Sequence, residues 1–245
     1  DAVEIIQGPP GTGKTCELVS RMRNVAGRIF ACAFTNVGAA NLYERCVHMG
    51  LGSECALVIA PERIPPGLVV MSNDRSRRIL CGTVSSRCSP QLNDVRFSAV
   101  FLDEAAQCME AAAWTLLRKE VTLFVMAGDV HQLPAMCSEE GRGLSHDRSL
   151  MERLLSAGYD NTISLTVQNR MAPEIMALSN RLVYENRLTC GAHAPNHGTV
   201  ELHSIADGRE EEDACSFRNI KEVEAALNIP DLPGDAVFLC PYTAQ

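Results

Sequence analysis

The sequence predicts an α/β fold, a parallel sheet with helices on both faces, on three observations. A short apolar run, Val3-Glu4-Ile5-Ile6-Gln7, opens into the glycine-rich stretch Gly8-Pro9-Pro10-Gly11-Thr12-Gly13-Lys14-Thr15 and then a helical pattern. Three further runs, Arg28 to Phe34, Phe97 to Leu102 and Val121 to Ala127, are apolar almost throughout, as strands covered on both faces are. Segments of helical spacing separate them, the alternation expected of a parallel sheet. With 245 residues, 46% of them hydrophobic, the chain is long enough for one large α/β domain or for one domain and part of a second.

The first element reads as strand, phosphate-binding loop, helix. Gly8, Gly11 and Gly13 let the backbone turn tightly, so that successive N–H groups point inward at a β-phosphate, and the helix start adds the positive end of its dipole. Lys14 then neutralises the β- and γ-phosphates, and the Thr15 hydroxyl is placed to ligate the bridging magnesium ion. Glycine and proline clusters also mark plain turns. The match over residues 8–15, in its strand-to-helix setting, is far more specific than that.

The helix runs from Thr15 to about Val25, with Cys16, Leu18, Val19 and Met22 on one face and Gly27 beyond its end. After the strand at residues 28–34, Thr35 or Asn36 caps a helix over about Val37 to Met49, closed by Gly50. Residues 51–74 hold only the short apolar run Ala56-Leu57-Val58-Ile59 among turn signals, and no chemistry is assigned there. Ile79-Leu80-Cys81 is strand-like, preceded by Arg75, Arg77 and Arg78 and followed by Gly82-Thr83.

The strand at residues 97–102 delivers Asp103 and Glu104 at its carboxyl end. Acids often end strands because turns are polar. Downstream of a phosphate loop the pair has a sharper meaning: Asp103 serves the magnesium ion, and Glu104 orients and deprotonates the attacking water. An alanine-rich helix is expected over about Met109 to Arg118, then the strand at 121–127, which runs into Gly128-Asp129-Val130-His131-Gln132-Leu133-Pro134. Gln132 both donates and accepts, so it can touch γ-phosphate and water together. Residues 139–146 read as loop, and Ser149 to Ser156 as a short helix.

Arg170 stands between the strand-like Ile163 to Gln168 and a helix with apolar Ile175, Leu178, Leu182 and Val183. It is either an ion-paired surface residue or a cation reaching across a cleft to a transferred phosphoryl group. Glu210 to Asp213 reads as a solvated acidic loop. A last buried strand, Ala236 to Cys240, leads to the polar corner Pro241-Tyr242-Thr243-Ala244-Gln245.

Composition limits the alternatives. The net charge of −8 argues against a general polyanion-binding surface and leaves room for a local basic groove. The 11 cysteines are scattered without a C-x-x-C pair, which reads as reduced, buried thiols of an intracellular chain, in cytoplasm or nucleus. No apolar run reaches the ~18 residues of a membrane span, so no membrane partner is expected. The chain starts at Asp1 and stops at Gln245 just after an apolar run, so both ends are expected to lie inside a longer protein.

Together, the stretches at 8–15, Asp103-Glu104-Ala105-Ala106-Gln107, 128–133, Gln168-Asn169-Arg170-Met171 and 241–245 resemble the superfamily 1 helicases, nearest to the helicases of nonsense-mediated decay and their nidovirus relatives. The resemblance covers residues 3–245, and Gln107 is the letter that separates this group from other phosphate-loop classes.

It implies a RecA-like first domain over residues 1–165, the start of a second such domain over 166–245, and ATP with Mg2+ in the cleft between them. Gly8 to Thr15 would hold the triphosphate, with Lys14, Gln132 and Arg170 on its terminal phosphates. Thr35, Asn36, Gly82, Thr83 and Pro134 would meet single-stranded RNA or DNA. Asn169 stands where the family usually has a base-stacking tyrosine, which relaxes the expectation of adenine selectivity, and Ala172 replaces a usual histidine. A second arginine finger beyond residue 245 and a glutamine motif before residue 1 are also implied, so this stretch alone is expected to be weakly active. The function expected is ATP-driven translocation along, and unwinding of, nucleic acid. The alternative is an ATPase that clamps or remodels an RNA–protein complex without unwinding.

Overall fold

The computed structural model describes residues 2–213, 216–230 and 236–240. Contacts divide the chain into a unit of residues 1–198 and a smaller one of residues 199–245.

The first unit is built on seven parallel strands: β1 (Ala2–Gln7), β2 (Ile29–Ala33), β3 (Cys55–Leu57), β4 (Ile79–Thr83), β5 (Ala99–Leu102), β6 (Leu123–Gly128) and β7 (Thr162–Ser164). Their order is β3-β4-β2-β5-β6-β1-β7. Apolar residues run through each inner strand because both faces are covered. Phe30, Cys32, Val100, Leu102, Phe124 and Met126 enter one core; the alternate residues Ile29, Ala31, Ala99, Phe101, Val125 and Ala127 enter the other. Burial of each such large side chain stabilises the fold by roughly 1.5–3 kcal/mol. Slipping β2 by one residue would exchange its two faces, so the pattern also fixes register.

On one face lie α1 (Lys14–Met22) and α2 (Asn36–Cys46), which bring Leu18, Val19, Met22, Leu42, Tyr43 and Cys46 to the second core. The other face carries α3 (Glu110–Trp114) and α5 (Leu150–Ser156), whose Ala113, Leu150 and Met151 enter the first core; the single turn α4 (Glu139–Gly143) precedes α5 in the chain. The helix expected at 109–118 is thus shorter, and the loop expected at 139–146 holds α4. Ser138 accepts from the Gly141 N–H to start that turn, with Glu139 and Glu140 at its positive end. Thr35 rather than Asn36 caps α2, its hydroxyl accepting from the Gly38 N–H at 3.0 Å. Thr35→Ala is therefore expected to cost about 1 kcal/mol in urea unfolding while Thr35→Ser costs little; equal stability of all three proteins would remove the cap from this account.

After β7 the chain forms the short parallel pair β8 (Val167–Gln168) and β9 (Thr189–Cys190), flanking α6 (Pro173–Leu182). The apolar residues named for that helix are open to solvent: Ile175, Leu178, Leu182 and, just past its end, Val183 are 40%, 53%, 72% and 40% exposed.

In the second unit the acidic run is not a loop. Its residues form β10 (Glu211–Asp213), antiparallel to β11 (Ser216–Arg218), where Glu211 faces Arg218 across the ladder, 3.8 Å apart as an ion pair. α7 (Ile220–Leu227) follows, capped by the Asn219 side chain. The strand expected at 236–240 is absent: these residues carry no ladder, and Val237 and Leu239 are 80% and 92% exposed. A strand of this apolar kind needs neighbours on both edges, and none pairs with it among the described residues. The polar corner at 241–245 lies outside the described residues. No described helix is long and apolar enough to cross a membrane. Ten described cysteines are free thiols.

Candidate nucleotide-binding site

Three adjacent strands, β5, β6 and β1, aim their carboxyl ends at one place, where open α/β sheets hold ligands. β1 runs into the loop at residues 8–13, tied to β6 by the Gly8 N–H on the Gly128 carbonyl at 3.0 Å. Gly11 and Gly13 have φ of 78° and 83°, left-handed values that other residues adopt only with strain. Pro9 and Pro10 stiffen the turn, and the Thr12 hydroxyl donates to the Pro9 carbonyl at 2.7 Å. Lys14, at the start of α1, donates from Nζ to the Gly8 and Pro9 carbonyls at 2.7 and 3.4 Å, so its ammonium is held across the loop.

At the end of β5, Asp103 is 5% exposed and accepts from the Thr15 hydroxyl at 2.7 Å and from the Glu104 N–H at 3.0 Å. Burial raises its carboxyl above the ordinary carboxylate range, and the neighbouring Glu104 charge adds to this, while the Thr15 hydrogen bond opposes it. Glu104 sits in the left-handed region, φ 52°, and its carboxylate makes no hydrogen bond or ion pair among the described residues. That turn swings it away from the strand and into the cleft.

The cleft holds about 290 Å³ and brings together Lys14, Thr15, Glu104, Gln132 and Arg170. Arg170 is supported by its backbone. The buried Gln168 side chain accepts from the Arg170 and Met171 N–H groups at 2.9 and 2.7 Å, and the Asn169 N–H donates to the Gly11 carbonyl at 3.0 Å. The guanidinium has no hydrogen bond or ion pair among the described residues, so the surface ion pair weighed from the sequence does not form there.

Two groups escaped the sequence reading. Arg45, in the last turn of α2, lines the same cleft with no partner among the described residues. Asp129, 2% exposed at the end of β6, gathers donors from Gln7, His131, Gln132 and Tyr184. Among the described residues no aromatic ring lines the cleft; Asn169 does.

The residues expected to meet nucleic acid are divided. A separate groove of about 400 Å³ joins Asn36 and Thr83 at the ends of α2 and β4, with Arg63 and Arg75 on its rim. Gly82 is buried within β4, and the Thr83 hydroxyl is engaged with Ser85 and Ser86 at 3.0 and 2.8 Å. Thr35 is exposed beside Asn36, and Pro134 is exposed on the loop after β6, outside the groove.

Two family models, each described as an AAA domain, match residues 69–140 and 146–229. The DNA replication ATP-dependent helicase/nuclease DNA2 of Gallus gallus is 28% identical over 98% of this chain and 27% of its own length. The putative helicase mov-10-B.1 of Danio rerio is 28% identical over 91% of this chain and 28% of its own. The chain thus spans about a quarter of the length of these relatives. A solved arterivirus nonstructural protein 10 (helicase) with DNA shares the fold at a TM-score of 0.52 and 20% identity, over 80% of this chain and 43% of that one.

The parallel sheet, its phosphate loop and the acids beside it define a RecA-like P-loop NTPase fold. In sequence the chain is similar to the superfamily 1 helicase-like group.

Proposed function

We propose that the chain is the catalytic part of an ATP-dependent helicase or translocase that acts on single-stranded RNA or DNA inside the cell, in cytoplasm or nucleus. The observation that carries this is the meeting in one cleft of Lys14, the Thr15–Asp103 pair, Glu104, Gln132 and Arg170, drawn from four separate places in the chain. In this reading the loop from Gly8 to Thr15 cradles the triphosphate with its N–H groups, and Lys14 exchanges the Gly8 and Pro9 carbonyls for the β- and γ-phosphates.

A hydroxyl and a buried carboxylate 2.7 Å apart are the hard oxygen donors that suit Mg2+, so Thr15 and Asp103 would hold it. Bound there, the ion would neutralise charge on the β- and γ-oxygens. Glu104 takes a proton from the attacking water. Gln132, with one N–H on Asp129, keeps a second N–H and its carbonyl for γ-phosphate and water. Arg170 meets the charge that develops on the transferred phosphoryl group, and Arg45 adds a cation from the α2 side.

A second RecA-like domain from about residue 166 is part of the proposal. Its support is that the seven-stranded sheet ends with β7 at Ser164, and that α6 leaves Ile175, Leu178 and Leu182 open, a face that a further layer would bury. The strand of nucleic acid would run by Thr35, Asn36, Gly82, Thr83 and Pro134. The basic rim of the groove at Asn36 supports this, since a chain of net charge −8 needs a local cationic track to hold phosphates.

Strand displacement and oligonucleotide-stimulated ATPase of the full-length protein test the reading; a stimulated ATPase that displaces no strand would favour a clamp or remodeller. Lys14→Ala removes the loop's only cation and is expected to lower kcat/KM for ATP by about 10²–10³, with weaker nucleotide binding. Near-normal turnover in that variant would take the phosphate loop out of the mechanism.

A further inference from the structure

We infer that Tyr184 is a positioning residue for Gln132, acting through the buried carboxylate of Asp129. Asp129 Oδ2 accepts from the Tyr184 hydroxyl at 2.8 Å and from Gln132 Nε2 at 3.0 Å, so one oxygen atom joins the two side chains. The other oxygen accepts from Gln7 Nε2 at 2.7 Å and from the His131 N–H at 3.1 Å. The carboxylate is therefore fixed from β1, from its own loop and from the segment after α6. Removing one donor leaves it free to turn toward the others.

Tyr184 is itself well held. It is 9% exposed, its ring meets the His131 ring edge-on with centroids 5.7 Å apart, and burial together with the Asp129 charge keeps its phenol protonated, as a donor must be. Just beyond it, Asn180 clasps the backbone of Leu188 from both sides, accepting from its N–H at 2.9 Å and donating to its carbonyl at 3.0 Å. The turn that carries Tyr184 is thus anchored to α6.

Arg170 precedes α6 and Tyr184 follows it, so a displacement of that helix moves both. One of them enters the cleft directly. The other reaches it through Asp129 and Gln132. The two γ-phosphate contacts would then be set together by the placement of one helix, which ties water positioning to the arginine's arrival.

This rests on the reading of Gln132 as a contact for γ-phosphate and water, and the experiment separates the two. ATPase kinetics of the full-length protein are measured for the wild type, Tyr184→Phe, Gln132→Ala and the double variant. Tyr184→Phe keeps the ring and its packing and is expected to lower kcat about tenfold with KM for Mg-ATP unchanged, the worth of one hydrogen bond in the transition state. In the Gln132→Ala background the same change is expected to alter kcat by less than about twofold, because its target is gone. Asp129→Asn, which keeps the size of the side chain, is expected to show the same dependence on Gln132.

A tenfold loss that persists in the Gln132→Ala background would mark Tyr184 as merely structural and overturn the inference, as would a Tyr184→Phe protein with wild-type kcat. A Gln132→Ala protein with normal turnover overturns the inference while leaving the ATPase reading intact; a wild type without turnover overturns both.

Discussion

Replacing Arg170 by alanine in the full-length protein is expected to lower kcat for ATP hydrolysis by about 10³–10⁵, with a far smaller change in KM. The asymmetry follows from where the charge develops. A guanidinium that meets the transferred phosphoryl group gains most when the bond to the leaving oxygen is breaking, so its loss falls on the transition state. The side chain is free to do this: it is exposed and has no partner among the described residues, while its backbone is pinned by Gln168. Arg170→Lys is expected to recover little, since an ammonium cannot present the planar fork of donors. Steady-state ATPase with single-stranded oligonucleotide measures all three proteins, and an alanine variant within tenfold of wild type would place this arginine outside the chemistry.

Glu104→Gln is expected to leave ATP binding near the wild-type value while turnover falls by about 10²–10⁴. The amide matches the carboxylate in size and cannot take the water's proton. Nothing else in the fold depends on that side chain, because it makes no hydrogen bond among the described residues and its left-handed backbone is equally open to glutamine. Equilibrium nucleotide binding beside single-turnover hydrolysis reads the two effects apart. Normal turnover here, together with a dead Asp103→Asn protein, would mean that the two acids have exchanged roles.

Much of the fold was legible because the information was local. Buried parallel strands write themselves as continuous apolar runs, and at β2, β5 and β6 each run lies within one element. The phosphate loop and Asp103-Glu104 were readable for the same reason, each being a few consecutive residues at a strand's end. The failures came where a short element depends on a cap or on a neighbour. α4 is a single turn that exists because Ser138 starts it, and its glycines hid it. Residues 236–240 have a strand's composition without a strand's neighbours.

The site was legible only in part, and for a different reason. Asp129 was passed over in favour of Gln132 because two of its partners, Gln7 and Tyr184, lie 122 and 55 residues away, a distance no local pattern spans. The one available signal was an acid placed directly after a buried strand, the same signal that drew attention to Asp103. Arg45 gave none. On its exposed helical face it is an ordinary surface cation until α2 is seen to end beside the phosphate loop.

The closeness of Gly11 to Arg170 bears on what genetics can find in this protein. A methyl group on residue 11 would stand 2.6 Å from the Arg170 Cβ, in addition to occupying a left-handed backbone position. Among suppressors of Gly11→Ala only Arg170→Gly would remove the atom that the new methyl meets, and that change also discards the guanidinium and leaves the backbone of residue 11 unmended. Revertants are therefore expected to restore glycine at position 11 itself, and intragenic suppressors at 170 to recover a folded protein that does not turn over ATP.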